Sequence, residues 1–227
     1  MSKVAVCLAG EMRYWEVMNP IYKSWDVDFF VSTWDTTNRK EDNYPYKFHG
    51  NTDINDDILK TLSPKGYEFL SKEVENKFEF NMLKYYYLVY RSNLLKTQYE
   101  LDNNFKYDCV LMTRPDVYYS KNLIRQLQSK KLDELVLYSG PVNHQEEFFG
   151  IGMNDLAAYG TSATMDIFSS LYKHQYLSGN HNMLSIGHSI IPHYLKYIGL
   201  DLGRREVYQN VINKIRRPDE YERLKRN

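Results

Sequence analysis

Three mostly apolar runs mark the first half of the chain. They cover residues 3–9, 27–33 and 107–113, and each ends in polar or turn-forming residues. A continuous apolar run of this length is typical of a strand buried on both faces, as in a parallel sheet. Residues 12–25 have amphipathic helical spacing, with Pro20 expected to interrupt or restart the helix. Strand, helix and strand within about 30 residues predict a right-handed crossover unit.

Helical spacing is clearest over residues 81–103. The residues that recur at this spacing are Leu83, Tyr87, Tyr90, Leu94 and Tyr99. We interpret this stripe as the core-facing side of a helix rather than as a cofactor site. Further helices are predicted over residues 57–62, 121–130, 162–172 and 186–198 and in the polar tail from 207, and strands over 67–71, 134–138 and within 147–160. The polar residues 36–57 predict a long surface loop.

This succession of strands and helices predicts an α/β fold class. We expect a single domain over residues 1–227, with a mixed, largely parallel central sheet flanked by helices. The sequence has no internal repeat, low-complexity linker or shift in composition that would divide it.

Charge and cysteine content argue against some classes of function. The 29 basic and 29 acidic residues give a net formal charge of zero, which argues against a nucleic-acid partner and against a polybasic membrane anchor. A local basic pocket for a phosphorylated ligand remains open. Cys7 and Cys109 lie within predicted buried strands and are expected to be core residues. No stretch is long enough to span a bilayer, and the first apolar run lacks the features of a secretion signal, so we expect a cytoplasmic protein.

Candidate chemistry follows the predicted strands, because ligands of open α/β sheets bind outside the carboxyl ends of the strands. The first run ends at Ala9 and Gly10. A glycine there lets a ligand approach the backbone, and the next helix offers free N–H groups to phosphate. Arg13 could supply a planar cationic group. The alternative is an ordinary strand-to-helix turn, since the pattern matches neither the dinucleotide fingerprint nor a P-loop.

The second run ends at Trp34 and Asp35. The indole could stack on a base, and the carboxylate could accept a hydrogen bond from a ribose hydroxyl. The alternative is a core tryptophan followed by a helix-capping aspartate.

The third run ends at Arg114, Pro115 and Asp116. A carboxylate just past a buried strand is well placed to bind a magnesium or manganese ion that bridges a diphosphate. Arg114 is a natural charge partner for Asp116, so a purely structural ion pair is the alternative.

Together these segments resemble a family. Residues 4–13 read VAVCLAGEMR, residues 27–35 VDFFVSTWD and residues 107–117 YDCVLMTRPDV, and MNDLAAYG at 153–160 is followed by MDIF at 165–168. In this order they are similar to glycosyltransferases of bacterial surface-polysaccharide clusters and of phages or large viruses, which have a GT-A-like fold. The resemblance covers nearly the whole chain apart from residues 38–57 and the tail.

The resemblance implies transfer of a sugar from a nucleotide-sugar donor to a glycan or lipid-linked saccharide acceptor. Residues 1–120 would form a Rossmann-like nucleotide-binding half, and 121–227 the acceptor-side half. Asp116 would take the place of the metal-binding acidic motif, with manganese or magnesium as the cofactor. That motif is usually Asp-any-Asp, whereas this chain has one carboxylate, so Arg114 could instead neutralise part of the diphosphate charge.

Two later residues also receive roles from the resemblance. Asp155, after Asn154, would be the acceptor-side carboxylate that acts as general base; the alternative is a turn aspartate that bonds its own backbone. His188 is a candidate for the late histidine that contacts the diphosphate and its metal, with a structural histidine as the alternative. Two rival functions stay open: a nucleotidyltransferase, and a catalytically inactive module that binds a nucleotide or a sugar.

Overall fold

The computed structural model describes residues 2–12, 15–35, 54–78, 81–119, 122–139, 157–173, 198–202 and 211–214. The strands are β1 Val4–Ala9, β2 Asp28–Trp34, β3 Gly66–Leu70, β4 Cys109–Thr113, β5 Val117–Tyr119, β6 Val136–Ser139, β7 Ala157–Gly160, β8 Asp201–Leu202 and β9 Val211–Lys214. The helices are α1 Trp15–Lys23, α2 Ile54–Leu62, α3 Lys72–Glu75, α4 Asn81–Asp102, α5 Leu123–Ser129 and α6 Ser162–Ser169. None of the described helices is both long enough and apolar enough to cross a membrane.

Seven strands form one sheet in the order β3-β2-β1-β4-β7-β6-β8. β1 pairs in parallel with β2 and with β4, and β2 pairs in parallel with β3. β7 runs antiparallel to both of its neighbours, whereas β6 and β8 are parallel. The predicted α/β class with a mixed, largely parallel sheet is confirmed.

The three predicted core strands are confirmed as β1, β2 and β4, and every residue of β1 and β4 is buried. Alternate residues of β1 enter two different clusters, because successive side chains of a strand point to opposite faces. Val4, Val6 and Leu8 pack with α1, α2 and α5. Ala5 and Cys7 pack with α4 and α6 on the other face. Helices therefore cover both faces of the sheet, and the small side chains lie under the long helix α4.

The expectation for Pro20 is wrong. Pro20 lies inside α1, which continues past it to Lys23. A proline within a helix removes one backbone hydrogen bond at a cost of about 3 kcal/mol. Here Pro20 is exposed while Met18, Ile21 and Tyr22 are buried. The apolar contacts of this face hold the helix together across the proline.

The prediction of a helix in the tail is also wrong for the part of the tail that the structure describes. Val211–Lys214 is a strand, β9, that pairs antiparallel with β5. Its sequence, VINK, contains two β-branched residues, and these favour a strand once a partner strand is available. The predicted helix over residues 186–198 and most of the predicted loop over 36–57 lie outside the described residues, although α2 already begins at Ile54.

The buried side of α4 differs from the predicted stripe. Leu83 is buried, but Leu94 is exposed, and four polar residues face inward instead. They are Ser92, Asn93, Lys96 and Glu100. α4 thus packs against the sheet and α6 through charged groups as well as rings, which requires that each buried charge has a partner.

Lys96 is at the centre of these polar contacts. Its ammonium lies 2.6 Å from the Ser162 hydroxyl, 2.8 Å from Asp166 and 3.2 Å from Glu100. Asp166 Oδ1 also accepts hydrogen bonds from the side chains of Asn93 and Thr97. We call these contacts the Lys96 network; it joins the middle of α4 to α6.

The Lys96 network predicts a specific pH dependence. Burial opposes ionisation of Asp166, but the charge of Lys96 and the hydrogen bonds outweigh it and hold the pKa of Asp166 below its ordinary value. A depressed carboxyl pKa stabilises the fold at pH values above about 4, the ordinary pKa, and this stabilisation is lost as the pH falls through the folded-state pKa. Unfolding measured by denaturant between pH 7 and about 3 should therefore show a falling stability.

Asp166→Asn should flatten this acid slope, since the variant has no carboxylate to titrate. Ser170→Ala is the matched control, because the Ser170 hydroxyl bonds the Ile167 carbonyl of the same helix and carries no titratable charge. Identical acid slopes for Asp166→Asn and the parent protein would contradict the prediction.

Candidate functional site

The carboxyl ends of β1, β2 and β4 lie side by side. Ala9 pairs with Ser32 near the end of β2, and Leu8 pairs with Thr113 at the end of β4. We call this the carboxyl edge. The sheet places β2 and β3 on one side of β1 and β4 on the other. Ligands of α/β sheets bind in the crevice expected at such a reversal of strand order. In this chain the expected crevice is the place between the loops that begin at Gly10 and Arg114.

Gly10 brings these two loops into contact. Its backbone has φ +129°, a conformation that residues with side chains rarely adopt. A Cβ at this position would lie 3.3 Å from Cδ of Pro115. The Gly10 N–H donates to the Ser32 carbonyl at 3.4 Å. Gly10 therefore lets the backbone after β1 lie against the turn after β4.

Gly10→Ala should destabilise the protein by about 1–3 kcal/mol, through backbone strain and displacement of Pro115. Gly199→Ala is the matched control, because Gly199 has φ +79° but nothing within 4 Å of an added Cβ. If the crevice binds a nucleotide, only the Gly10 variant should also lose nucleoside-diphosphate affinity. Chemical denaturation measures the stability, and calorimetry measures the affinity for the nucleoside diphosphate. Equal affinity in both variants would show that Gly10 is not part of the binding site.

The turn after β4 contains a bidentate ion pair. We call residues 114–116 the RPD turn; the Val117 N–H closes it by donating to the Arg114 carbonyl at 3.3 Å. Arg114 Nε donates to Asp116 Oδ1 at 2.8 Å, and its Nη2 donates to Oδ2 at 2.7 Å. The Asp116 side chain is 3% exposed and that of Arg114 is 18% exposed. The carboxylate is thus fixed inside the turn, while part of the arginine reaches the surface.

Three tyrosines that the sequence reasoning did not single out support the RPD turn. The Arg114 guanidinium lies 5.7 Å from the centre of the Tyr85 ring. The Tyr22 hydroxyl lies 3.5 Å from the carbonyls of Arg114 and Pro115, and the hydroxyls of Tyr119 and Thr113 share a hydrogen bond. Burial raises the pKa of both Tyr22 and Tyr119, so these hydroxyls keep their protons.

The sequence could have indicated one of these three residues, Tyr85. A helix that connects two parallel strands runs back along the sheet, so its first turn lies at the carboxyl edge. α4 precedes β4, and Tyr85 is in its second turn. The position of Tyr85 beside the RPD turn therefore follows from the topology, although its contact with Arg114 does not.

The loop after β2 is arranged differently from the other two. Trp34 is 4% exposed and packs against Phe78, with ring centres 6.5 Å apart. This burial supports the alternative of a core tryptophan. Asp35 is exposed, and its N–H donates to the Leu70 carbonyl at 2.8 Å. Asp35 is thus the residue of this pair that a ligand at the carboxyl edge can reach.

The described residues do not form a suitable cage for a divalent cation. No three histidine, cysteine, aspartate or glutamate side chains among them lie close enough together to hold a metal. Asp116 is a carboxylate at the right place, but Arg114 donates to both of its oxygens. His188 lies outside the described residues.

Arg13 and Asp155 also lie outside the described residues, so the roles expected for them stay predictions from the sequence.

The fold thus defines an α/β protein with a reversal of strand order between β1 and β4. No protein-family model matches the sequence, and no curated protein matches it. Among solved structures, the chain is similar to the apo form of the glycosyltransferase GlyE of Streptococcus pneumoniae, with a TM-score of 0.47 and 10% identity. The match covers 90% of this chain and 45% of the GlyE chain, so the chain spans less than half the length of that protein. A similarity of this degree does not decide what the protein does.

Proposed function

We propose that the protein is a glycosyltransferase that moves a sugar from a nucleotide-sugar donor to a hydroxyl of a glycan or lipid-linked saccharide. The observation that carries this proposal is the contact between Gly10 and the RPD turn across the strand-order reversal. It joins two of the sequence segments by which the chain resembles glycosyltransferases of polysaccharide biosynthesis. A donor diphosphate fits this crevice because exposed backbone and a cationic side chain meet there.

The proposed roles are those that the sequence and its resemblance lead us to expect. Ala9, Gly10 and Arg13 approach the donor diphosphate from β1, and Arg114 approaches it from β4. Asp35 is available to accept a hydrogen bond from the ribose. If a divalent cation takes part, Asp116 and His188 are its candidate ligands, and it would supply positive charge to the leaving diphosphate.

The acceptor side is proposed from the opposite side of β4. Asp155 stands as the general base that takes the proton of the acceptor hydroxyl while the hydroxyl oxygen attacks the donor sugar. The nucleoside diphosphate leaves towards the crevice between Gly10 and the RPD turn. The chain's contribution is to hold these two groups on opposite sides of one sugar.

A thermal-shift and turnover experiment tests the proposed function. Nucleoside diphosphates, nucleotide sugars and nucleoside triphosphates are added with manganese or with EDTA, because a ligand that binds the folded state raises its melting temperature. Stabilisation by a nucleotide sugar, followed by its hydrolysis or transfer, supports a glycosyltransferase. Stabilisation without any turnover indicates an inactive binding module, and release of pyrophosphate from a triphosphate indicates a nucleotidyltransferase. No response to any of these ligands overturns the proposal.

Asp116→Asn should lower donor affinity and turnover together, by about 10- to 100-fold, because the carboxylate that orients Arg114 loses its charge. Donor affinity by calorimetry and the transfer rate measure this. Asp133→Asn is the control, since Asp133 is exposed and bonds the Tyr138 hydroxyl. An Asp116→Asn protein that folds and binds donor as tightly as the parent would leave Asp116 a structural role.

A further inference from the structure

We propose that Arg114 takes the place of a divalent cation, so that this protein binds the diphosphate of its donor without a metal. The inference rests on the proposed function, and it assigns recognition of the diphosphate to the positive charge of Arg114. It starts from the finding that the described residues do not fit a metal site.

The first step concerns the carboxylate that a metal would need. Each oxygen of Asp116 already accepts a hydrogen bond from Arg114, in the parallel fork that arginine and carboxylate favour. A cation at Asp116 would have to displace this fork inside a turn where the carboxylate is 3% exposed. It would then stand beside the guanidinium, and two like charges at short distance repel each other.

The second step concerns the orientation of the arginine. The fork with Asp116 fixes the plane of the guanidinium, and the Tyr85 ring lies below it at 5.7 Å. The Tyr22 hydroxyl, near the carbonyls of Arg114 and Pro115, supports the backbone of the same turn. Because Asp116 is nearly enclosed while Arg114 is 18% exposed, the positive group of this pair is the one that reaches the surface.

The third step concerns the remaining charge of a diphosphate. α1 follows β1, and α4 places its first turns at the same edge, beside Arg114. The amino end of a helix carries a partial positive charge. This partial charge and the Arg114 guanidinium can together oppose the negative charge of a diphosphate without an ion.

Calorimetry with uridine, guanosine, cytidine and adenosine diphosphates tests the inference. Each is titrated into the full chain in excess EDTA and again in excess manganese. We expect the Kd of the preferred diphosphate in EDTA to lie within about twofold of its Kd in manganese. Binding that appears only with manganese would overturn the inference and leave the proposed function intact. Binding of none of the four in either buffer would overturn both.

Variants of Arg114 give an independent test. Arg114→Gln should weaken binding of the nucleoside diphosphate by about 10- to 100-fold and leave binding of the nucleoside unchanged, since the guanidinium is assigned to phosphate. Arg114→Lys should recover part of the loss, because it keeps the charge without the fork. Unchanged diphosphate affinity in folded Arg114→Gln would overturn the inference.

The variant could fail to fold because it leaves the Asp116 carboxylate buried without its arginine. The double variant Arg114→Gln/Asp116→Asn removes both charges and serves as the matched protein in that case. The same loss of diphosphate affinity is expected from it, with or without manganese. A double variant that binds the diphosphate as tightly as the parent would also overturn the inference.

Discussion

Lys96→Met is expected to lower the free energy of unfolding by about 3–5 kcal/mol. Lys96 is fully buried, and its ammonium contacts Glu100, Asp166 and the Ser162 hydroxyl. The variant removes the one buried cation that Glu100 and Asp166 share and leaves only Lys106, whose side chain is 57% exposed, near both carboxylates. A buried charge that has lost its partner costs far more than a surface pair contributes, because water cannot replace the partner.

Lys106→Met is the control for this prediction. Lys106 also contacts Glu100, at 2.9 Å, but its side chain is 57% exposed. Its removal should cost less than about 1 kcal/mol, because the Lys106 ammonium is exposed to water and Glu100 keeps Lys96 as its partner. Denaturant unfolding of the two variants at neutral pH gives the comparison. If the two variants differ by less than 1 kcal/mol, the Lys96 network does not have the energetic role that its burial indicates.

The sequence predicted the strands well because their signal is local. Residues 3–9, 27–33 and 107–113 are mostly apolar, and a near-continuous apolar run of this length is typical of a strand covered on both faces. The order of the strands in the sheet was not predictable in the same way, since it depends on which helices pass over which face. Pro20 misled the prediction because helix propensity does not include the apolar contacts of Met18, Ile21 and Tyr22.

The predicted apolar stripe of α4 shows a second limit of prediction from the sequence. Helical spacing identified the helix but assigned Leu94 to the core and left Lys96 outside it. A lysine can be buried only if acidic groups from elsewhere surround it. Asp166 lies 70 residues further along the chain, and no pattern within α4 reveals that partner.

The candidate site was partly predictable for the same physical reasons. Gly10, Arg114 and Asp116 follow buried strands directly, so the topology of a parallel sheet brings them to one edge. The fork between Arg114 and Asp116 was foreseen as an alternative because the two residues are neighbours in sequence. Trp34 was ambiguous, because an aromatic residue at a strand end can face a ligand or the core, and only packing against Phe78 distinguishes the two.

The last prediction concerns Asp155, whose role remains a prediction from sequence. Asp155→Asn should lower the rate of sugar transfer by about 10²- to 10⁴-fold and leave the Kd of the donor unchanged. The reason is that a general base acts on the acceptor hydroxyl, while the donor is held on the other side of β4.

Asn154→Ala is the matched control, because it changes the same segment but keeps the carboxylate. Single-turnover transfer and donor calorimetry, run on both variants and on the parent, separate chemistry from binding. A general base would reduce transfer only in the Asp155 variant, whereas a structural turn aspartate would affect stability in both. An Asp155→Asn protein that transfers sugar at the parental rate would leave the acceptor without a base from this segment, and the proton would have to leave by another route.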